Sequence, residues 1–536
     1  MSHPISLGLD FGTESVRAIL VDTKGKQWAI AESDFANGQI TETLPGCDKK
    51  LPPQYALQCP EDWIESAAAA TRTAIEKSGI DPDRIVGVGV DFTSCTMLPT
   101  TIDGTPLCEL DTFKATPLAW PKLWKHHGAL DQTEHMNEIA RERGESFLLR
   151  YGGTIGLEWF FPKMLETIQN ASEVAEAAEV WLEAGDWFVW QLVGGAADTL
   201  TRSTCQAGYK AMWSATEGYP STDYFTAVDP RLAESVTNRL PGVMRSPGEV
   251  AGKLSSEMAT RFGLTVGTPV STAIIDAHSA VPGVGAADAG TLVMVMGTSS
   301  CHMLNAVAMA DVPGVAGVVE GGILPGMFGY ETGQTAVGDA FAWLGRLLGL
   351  DSFDAISKAA VQLPPGANGV MCMDWMNGCR TPLMDGSVRG AFTGLGLEHG
   401  PEHLYLALME ASAFGLRWIV EMLRDGGVPI DRFVATGGLP HHNRAFVEVY
   451  ADVLGADIEI HPTTQGPAMG AAVLGMFAAG PQASGFESIA SAASVMASAP
   501  QDRQTIVHPR SDRKATYDSL YPKYRQLAHA IAKGQV

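Results

Sequence analysis

Asp10, Gly12 and Thr13 fall within four residues of one another in the stretch 7–22, LGLDFGTESVRAILVD. An acid, a glycine and a hydroxyl at that spacing suit a metal-bound polyphosphate. Gly12 lets the backbone approach phosphate oxygens, Thr13 offers a hydroxyl and an amide, and Asp10 can hold Mg2+ directly or through water. Taken alone the motif is equally an ordinary hairpin with a polar turn. The same Gly-Thr pairing returns at Gly297, Thr298 and Ser299, between the apolar runs 292–296 and 300–304. Two such hairpins, one in each of two domains, would clamp one polyphosphate from both sides.

Other candidates stand at the ends of apolar runs. The run 85–90, IVGVGV, delivers Asp91-Phe92-Thr93-Ser94-Cys95-Thr96, and 270–275, VSTAII, ends on Asp276. In open α/β sheets ligands sit outside the carboxyl ends of strands, so both ends are pocket candidates. Gly437 and Gly438 separate the run 433–436 from a helix that Asn443 caps, and a flat ring can lie against such a diglycine turn. Lys210, in Gly208-Tyr209-Lys210, reads locally as a solvated turn lysine. Glu158 and Lys163 are embedded among aromatics in 156–166, GLEWFFPKMLE, where Pro162 suits the first turn of a helix.

The elements that must position these residues are a hairpin over 7–22 and a loop over 36–60. A helix capped by Asp62 runs to 78, and further helices cover 132–143, 339–348, 404–424, 444–454 and 466–479. With 536 residues the chain exceeds one core, and two domains are expected, 1–280 and 281–536, with a glycine-rich hinge near 282–290. Hydrophobic residues make up 46%, which argues against disorder, and 37 basic against 60 acidic residues give a formal charge of −23. That surface repels nucleic acid and anionic membranes. It still admits a small anion held by backbone amides and a cation. The eight scattered cysteines fit reduced thiols. No apolar run reaches the roughly 20 residues of a membrane span, and the first strand begins too early for a signal peptide, so a soluble, cytoplasmic protein is expected. There is no GxxxxGK[ST], no closed GxGxxG fingerprint, no HExxH and no GxSxG.

DFGTES, GTSSCH and GGLPHHN, in this order and at these separations, resemble the two phosphate motifs and the adenosine motif of the FGGY carbohydrate kinases. The resemblance runs from residue 7 to about 480. It implies an α/β, two-domain, actin-like (ribonuclease H-like) ATPase fold with a cleft between the domains, and ATP with Mg2+ as cofactors. EWFFPKMLE, CQAGYKAMW, IIDAHSA and YETGQTAVGD are most similar to the members of that family that phosphorylate L-ribulose. Carried over residue by residue, Asp276 matches the catalytic base, while Lys210 and Glu331 match sugar-binding positions. The 93–96 loop lies where the sugar chain is expected, with Ser94 and Cys95 both open as its contact. Asp10 matches the metal position. Gly12, Thr13, Gly297, Thr298 and Ser299 would meet phosphates, Gly437, Gly438 and Asn443 the adenosine, and Gly333 is a further nucleotide-binding position. His278 and His302 are read as structural. The implied partners are a small sugar and ATP, with a homodimer left open. Another pentulose or a polyol is an alternative substrate, and a nucleotide-driven switch without sugar chemistry is the competing class.

Overall fold

The computed structural model describes residues 3–499 and 505–534. Two seven-stranded sheets carry the fold. In the first, β1 (Ile5–Phe11) and β2 (Ser15–Asp22) form the opening hairpin, and β3 (Gln27–Asp34) extends it antiparallel. On the other side of β1 lies β4 (Ile85–Phe92), in parallel register, followed by Pro269–Ser271 and Val250–Lys253. The short strand Ile274–Ile275 also pairs with β4, opposite Asp91 and Phe92.

The second sheet repeats this plan. Strands Thr291–Met296 and Ser300–Ala306 make the second hairpin, Phe328–Gln334 and Gly317–Glu320 continue it, and Arg432–Thr436 pairs parallel with its first strand. Each sheet therefore sets a Gly-Thr turn beside the carboxyl end of a parallel strand, as two similar hairpins in one chain suggest.

Between the sheets runs the helix Gly466–Ala478, rich in glycine and alanine. It packs on β1, β4 and the helix Asp276–Gly283 with backbone against backbone. A Cβ on Gly89 would stand 1.8 Å from the Ala471 carbonyl oxygen, and one on Gly87 2.0 Å from that of Gly475. One on Gly470 would stand 1.8 Å from the Ser279 oxygen. No side chain larger than hydrogen fits at these points. The contacts advance one helical turn for each two strand residues, Gly87 to Gly475 and then Gly89 to Ala471. Asp91, the next residue on that strand face, is thereby carried toward the helix's N-terminal turn, the end where unpaired amides favour negative charge.

Four local expectations are corrected. The helix expected to start at Asp62 is Pro60–Ser78, with Cys59 at its N-cap, because proline pre-sets the first turn. Asp62 instead accepts from the backbone N (2.8 Å) and Nδ2 (2.9 Å) of Asn37. The strand expected over 85–90 continues to Phe92, which makes Asp91 a strand residue. The apolar run before Asp276 is two short strands, Pro269–Ser271 and Ile274–Ile275, and Asp276 opens a helix rather than ending a strand. Lys210 closes the helix Thr204–Lys210 and is buried, because its charge has partners inside the cleft. Among the described residues no helix is long and apolar enough to cross a membrane.

Candidate active site

Asp10 and Asp91 come from adjacent strands of the first sheet, and Asp276 opens the helix that follows a third, Ile274–Ile275. Asp10 and Asp91 are register partners in the β1–β4 ladder, and Asp276 directly follows Ile275, the partner of Phe92. Both Asp91 oxygens are buried, and their polar neighbours are the Asp10 carboxyl, placed to share a proton with Asp91, and the Ser279 hydroxyl. Burial raises the Asp91 carboxyl well above its usual range, and the charges of Asp10 and Asp276 push it the same way. Burial also raises Asp10, against the opposing pull of its hydrogen bond with Asp91 and of Arg17, whose Nη1 stands 3.4 Å away. Asp276 is pushed up to about 7 by burial, although the Ala277 amide donates to its Oδ1 at 2.7 Å. A carboxyl poised there can accept a proton near neutral pH, the condition for a general base.

The two Gly-Thr turns are both present and tightly held. Gly12 N donates to Ser15 O at 2.9 Å, and Gly297 N to Ser299 O at 2.9 Å. The Thr13 hydroxyl accepts from the Trp124 indole at 3.2 Å, and the Thr13 carbonyl from Gln58 Nε2 at 2.7 Å. The carbonyls of Gly297 and Thr298 are taken up by the amides of Val337, Gly338 and Asp339 at the start of the helix Gly338–Leu348. This fixes the second turn against a helix N-terminus, whose first amides it satisfies. Gly437 has φ 96°, and a Cβ there would meet the Met296 carbonyl oxygen at 2.5 Å, so the diglycine turn lies against the strand that leads into Gly297. Gly438 opens the helix Gly438–His442. Asn443 caps the helix Arg444–Leu454 by accepting from Phe446 N at 3.2 Å, and its Nδ2 donates to the Tyr405 hydroxyl at 2.9 Å. Gly333 is a rung opposite Cys301, with its amide donating to the Thr381 hydroxyl at 3.3 Å.

Lys210 and Glu331 meet, although 121 residues separate them: Nζ lies 3.2 and 3.3 Å from the two carboxylate oxygens. Arg380 adds a second cation to the same carboxylate, and His278 Nε2 stands 3.5 Å from it. Burial alone would raise Glu331, but the Lys210 and Arg380 charges, with His278, outweigh it and hold the group down at about 2. His278 is lowered to about 3 by burial and stays neutral. The 93–96 loop follows β4 directly. Cys95 is buried, the Ser94 hydroxyl is buried without a partner, and the Thr93 and Thr96 hydroxyls bond each other at 3.1 Å. The unpartnered Ser94 hydroxyl and the ionised Glu331 are polar groups able to hold a polyhydroxylated ligand.

Sequence reasoning gave no role to Asp91 and missed Arg380. The first had a signal, an acid at the end of an apolar run beside the one that carries Asp10. Nothing local marks the second.

Residues 5–283 match the description "FGGY family of carbohydrate kinases, N-terminal domain", and residues 292–479 match its C-terminal domain. The chain is 42% identical to a protein named ribulokinase from Geobacillus thermodenitrificans, with 100% of this chain and 96% of the relative covered. It is 38% identical to a ribulokinase from Mycolicibacterium smegmatis, with 97% and 93% covered. Among solved structures, xylulose kinase from Rhodospirillum rubrum superimposes with a TM-score of 0.81 at 22% identity, each chain 99% covered. Plasmodium falciparum glycerol kinase with ADP gives 0.77 at 17%, each chain 98% covered. These two likenesses concern the fold, while the family matches and the sequence identity concern descent. On those grounds the chain belongs to the FGGY family of carbohydrate kinases.

Proposed function

We propose that this protein transfers the γ-phosphoryl group of ATP to the terminal hydroxyl of L-ribulose, giving L-ribulose 5-phosphate and ADP, in the cytoplasm. The observation that carries the reading is Asp276, a half-buried carboxyl held at about 7 between the Asp10–Asp91 pair and the Lys210–Glu331 pair. Asp276 takes the proton of the C5 hydroxyl as that oxygen bonds to the γ-phosphorus. The bond from phosphorus to the β–γ bridging oxygen breaks, and the electrons leave with ADP. Lys210, Glu331 and the 93–96 loop hold the sugar, the two Gly-Thr turns hold the phosphates, and the Gly437–Gly438 turn holds the adenosine.

Mg2+ fits the acids at the sheet edge. Among the described residues no three metal-ligating side chains gather around one point. Asp10 and Asp91, side by side in the β1–β4 ladder, would supply the one or two carboxylates that Mg2+ uses alongside phosphate oxygens and water. When bound, the ion offsets charge on the β- and γ-phosphates. A panel of pentuloses and polyols assayed for phosphorylation with ATP and Mg2+ tests the reading. L-Ribulose is expected to be the best substrate, and ADP release that no sugar accelerates would replace the kinase reading with a nucleotide switch.

A further inference from the structure

We propose that Lys163 is a positioning residue that sets the sugar loop in register with the phosphate hairpin, through hydrogen bonds from one buried ammonium to the carbonyls of Cys95 and Leu123. The inference rests on the sugar-site reading of the 93–96 loop given above.

Lys163 lies in the first turn of the helix Phe160–Asn170 and is fully buried. Its Nζ donates to Cys95 O at 2.7 Å and to Leu123 O at 2.9 Å. Removing an ammonium from water is costly, and lysine is almost never wholly buried unless its charge is used. Here it is used to fasten together two chain segments whose backbones meet only at the single antiparallel bridge of Met97 and Lys122.

One segment is the sugar loop, gripped at its centre. The other, 121–124, touches both sides of the site. Lys122 exchanges both backbone hydrogen bonds with Met97, at 2.9 and 3.1 Å, where the chain leaves the loop. Pro121 O accepts from Gln58 N at 3.1 Å, and the Gln58 side chain donates to the Thr13 carbonyl. Trp124, next to Leu123, donates its indole N–H to the Thr13 hydroxyl. A path of three hydrogen bonds and one peptide link thus runs from Cys95 through Lys163, Leu123 and Trp124 to Thr13. A shift of either end changes the distance between sugar and phosphate, and an error of about 1 Å there costs on the order of a hundredfold in rate. Lys122 is an internal comparison. It is equally buried, yet its ammonium bonds only Leu118 O, at 2.8 Å, inside its own segment.

The test compares Lys163→Met with Lys122→Met in the full chain, by sugar kinetics and by hydrogen exchange of peptides covering 93–97 and 121–124. Lys163→Met is expected to raise KM for the phosphorylated sugar about tenfold, lower kcat by up to about a hundredfold, leave KM for ATP near wild type, and speed exchange in both peptides. Lys122→Met is expected to leave sugar KM and 93–97 exchange unchanged. If Lys163→Met does not fold, Lys163→Gln, whose shorter amide reaches one carbonyl, is expected to show the same pattern at smaller size. Folded variants with wild-type sugar KM and unchanged exchange overturn the proposal. So does an equal response in Lys122→Met. If the wild-type protein phosphorylates no sugar, the kinase reading fails, and the exchange comparison still decides whether Lys163 tethers the two segments.

Discussion

Asp10 and Asp91 are register partners across the parallel β1–β4 ladder, which sets two buried carboxyls side by side at the carboxyl edge of the first sheet. As two carboxylates they repel, whereas with one proton between them they hydrogen-bond, so the pair favours a single negative charge until a cation arrives. Asp91→Asn replaces a repelled carboxyl with a neutral amide. We expect thermal unfolding to shift upward by the equivalent of about 0.5–2 kcal/mol, while the Mg2+ concentration for half-maximal rate rises. Asp10→Asn is expected to show the same rise in Mg2+ requirement. A Mg2+ dependence identical to wild type in both variants would remove these acids from the metal site.

Asp276 makes a prediction in pH. Its carboxyl is raised from 3.8 to about 7 in the fold, chiefly by burial. As a base it works only when deprotonated, so kcat/KM should rise with pH up to about 7 and then level. For stability the sign is opposite. The folded state binds this proton more tightly than the unfolded chain, so the group's contribution is fully present below about pH 4 and is lost as pH rises through about 7. Asp276→Asn should abolish the acid limb of residual activity and lower kcat by roughly 10²–10⁴-fold, without rescue by added Mg2+. Wild-type turnover in that variant would end the base assignment.

Glu331 behaves in the reverse sense. Its carboxyl is held down to about 2, so its stabilising contribution is present above 4.5 and fades as pH falls through about 2. Glu331→Gln leaves Lys210 and Arg380 facing each other without a counter-charge. We expect a loss on the order of 3 kcal/mol in stability and a sugar KM about 10–100-fold higher, with ATP KM unchanged. Lys210→Met should raise sugar KM similarly, because it releases the carboxylate toward Arg380. Denaturation curves and two-substrate kinetics read both effects, and a variant that loses ATP affinity while keeping sugar KM contradicts the assignment.

The parts of this site that the sequence makes legible are those written locally. A strand, a Gly-Thr turn and a returning strand appear within sixteen residues, and both hairpins stand where that pattern puts them. What the sequence hides is relation across distance. That Asp91 sits against Asp10 depends on the offset of two strands 81 residues apart. Arg380 joins Glu331 from a loop that periodicity does not describe. Lys210 reads as a surface lysine because its partner lies 121 residues on, and the burial that gives it a role belongs to the assembled cleft. Asp62 shows the converse error, a good capping residue displaced by a better local signal, Pro60.

The glycine seam beneath the acids supplies the last prediction. Gly89 lies two residues before Asp91 on the same face of β4, and a Cβ there would stand 1.8 Å from the Ala471 carbonyl oxygen of the helix between the sheets. A backbone oxygen cannot swing aside as a side chain can, so Gly89→Ala must lift the helix from the sheet. Overpacking of this kind costs about 1–3 kcal/mol and occasionally more. Because the helix's N-terminal turn lies near Asp91 and packs on Ser279 just beyond Asp276, that lift also moves the acids relative to one another. We therefore expect Gly89→Ala to lose stability and, in the fraction that folds, to lose kcat more than its sugar or ATP KM changes. Gly386→Ala is the control, since a Cβ there meets nothing within 4 Å. It should stay within about 0.5 kcal/mol of wild type and keep full activity. A Gly89→Ala enzyme as stable and as fast as Gly386→Ala would mean that the helix is not seated on the strands as closely as the backbone contacts require.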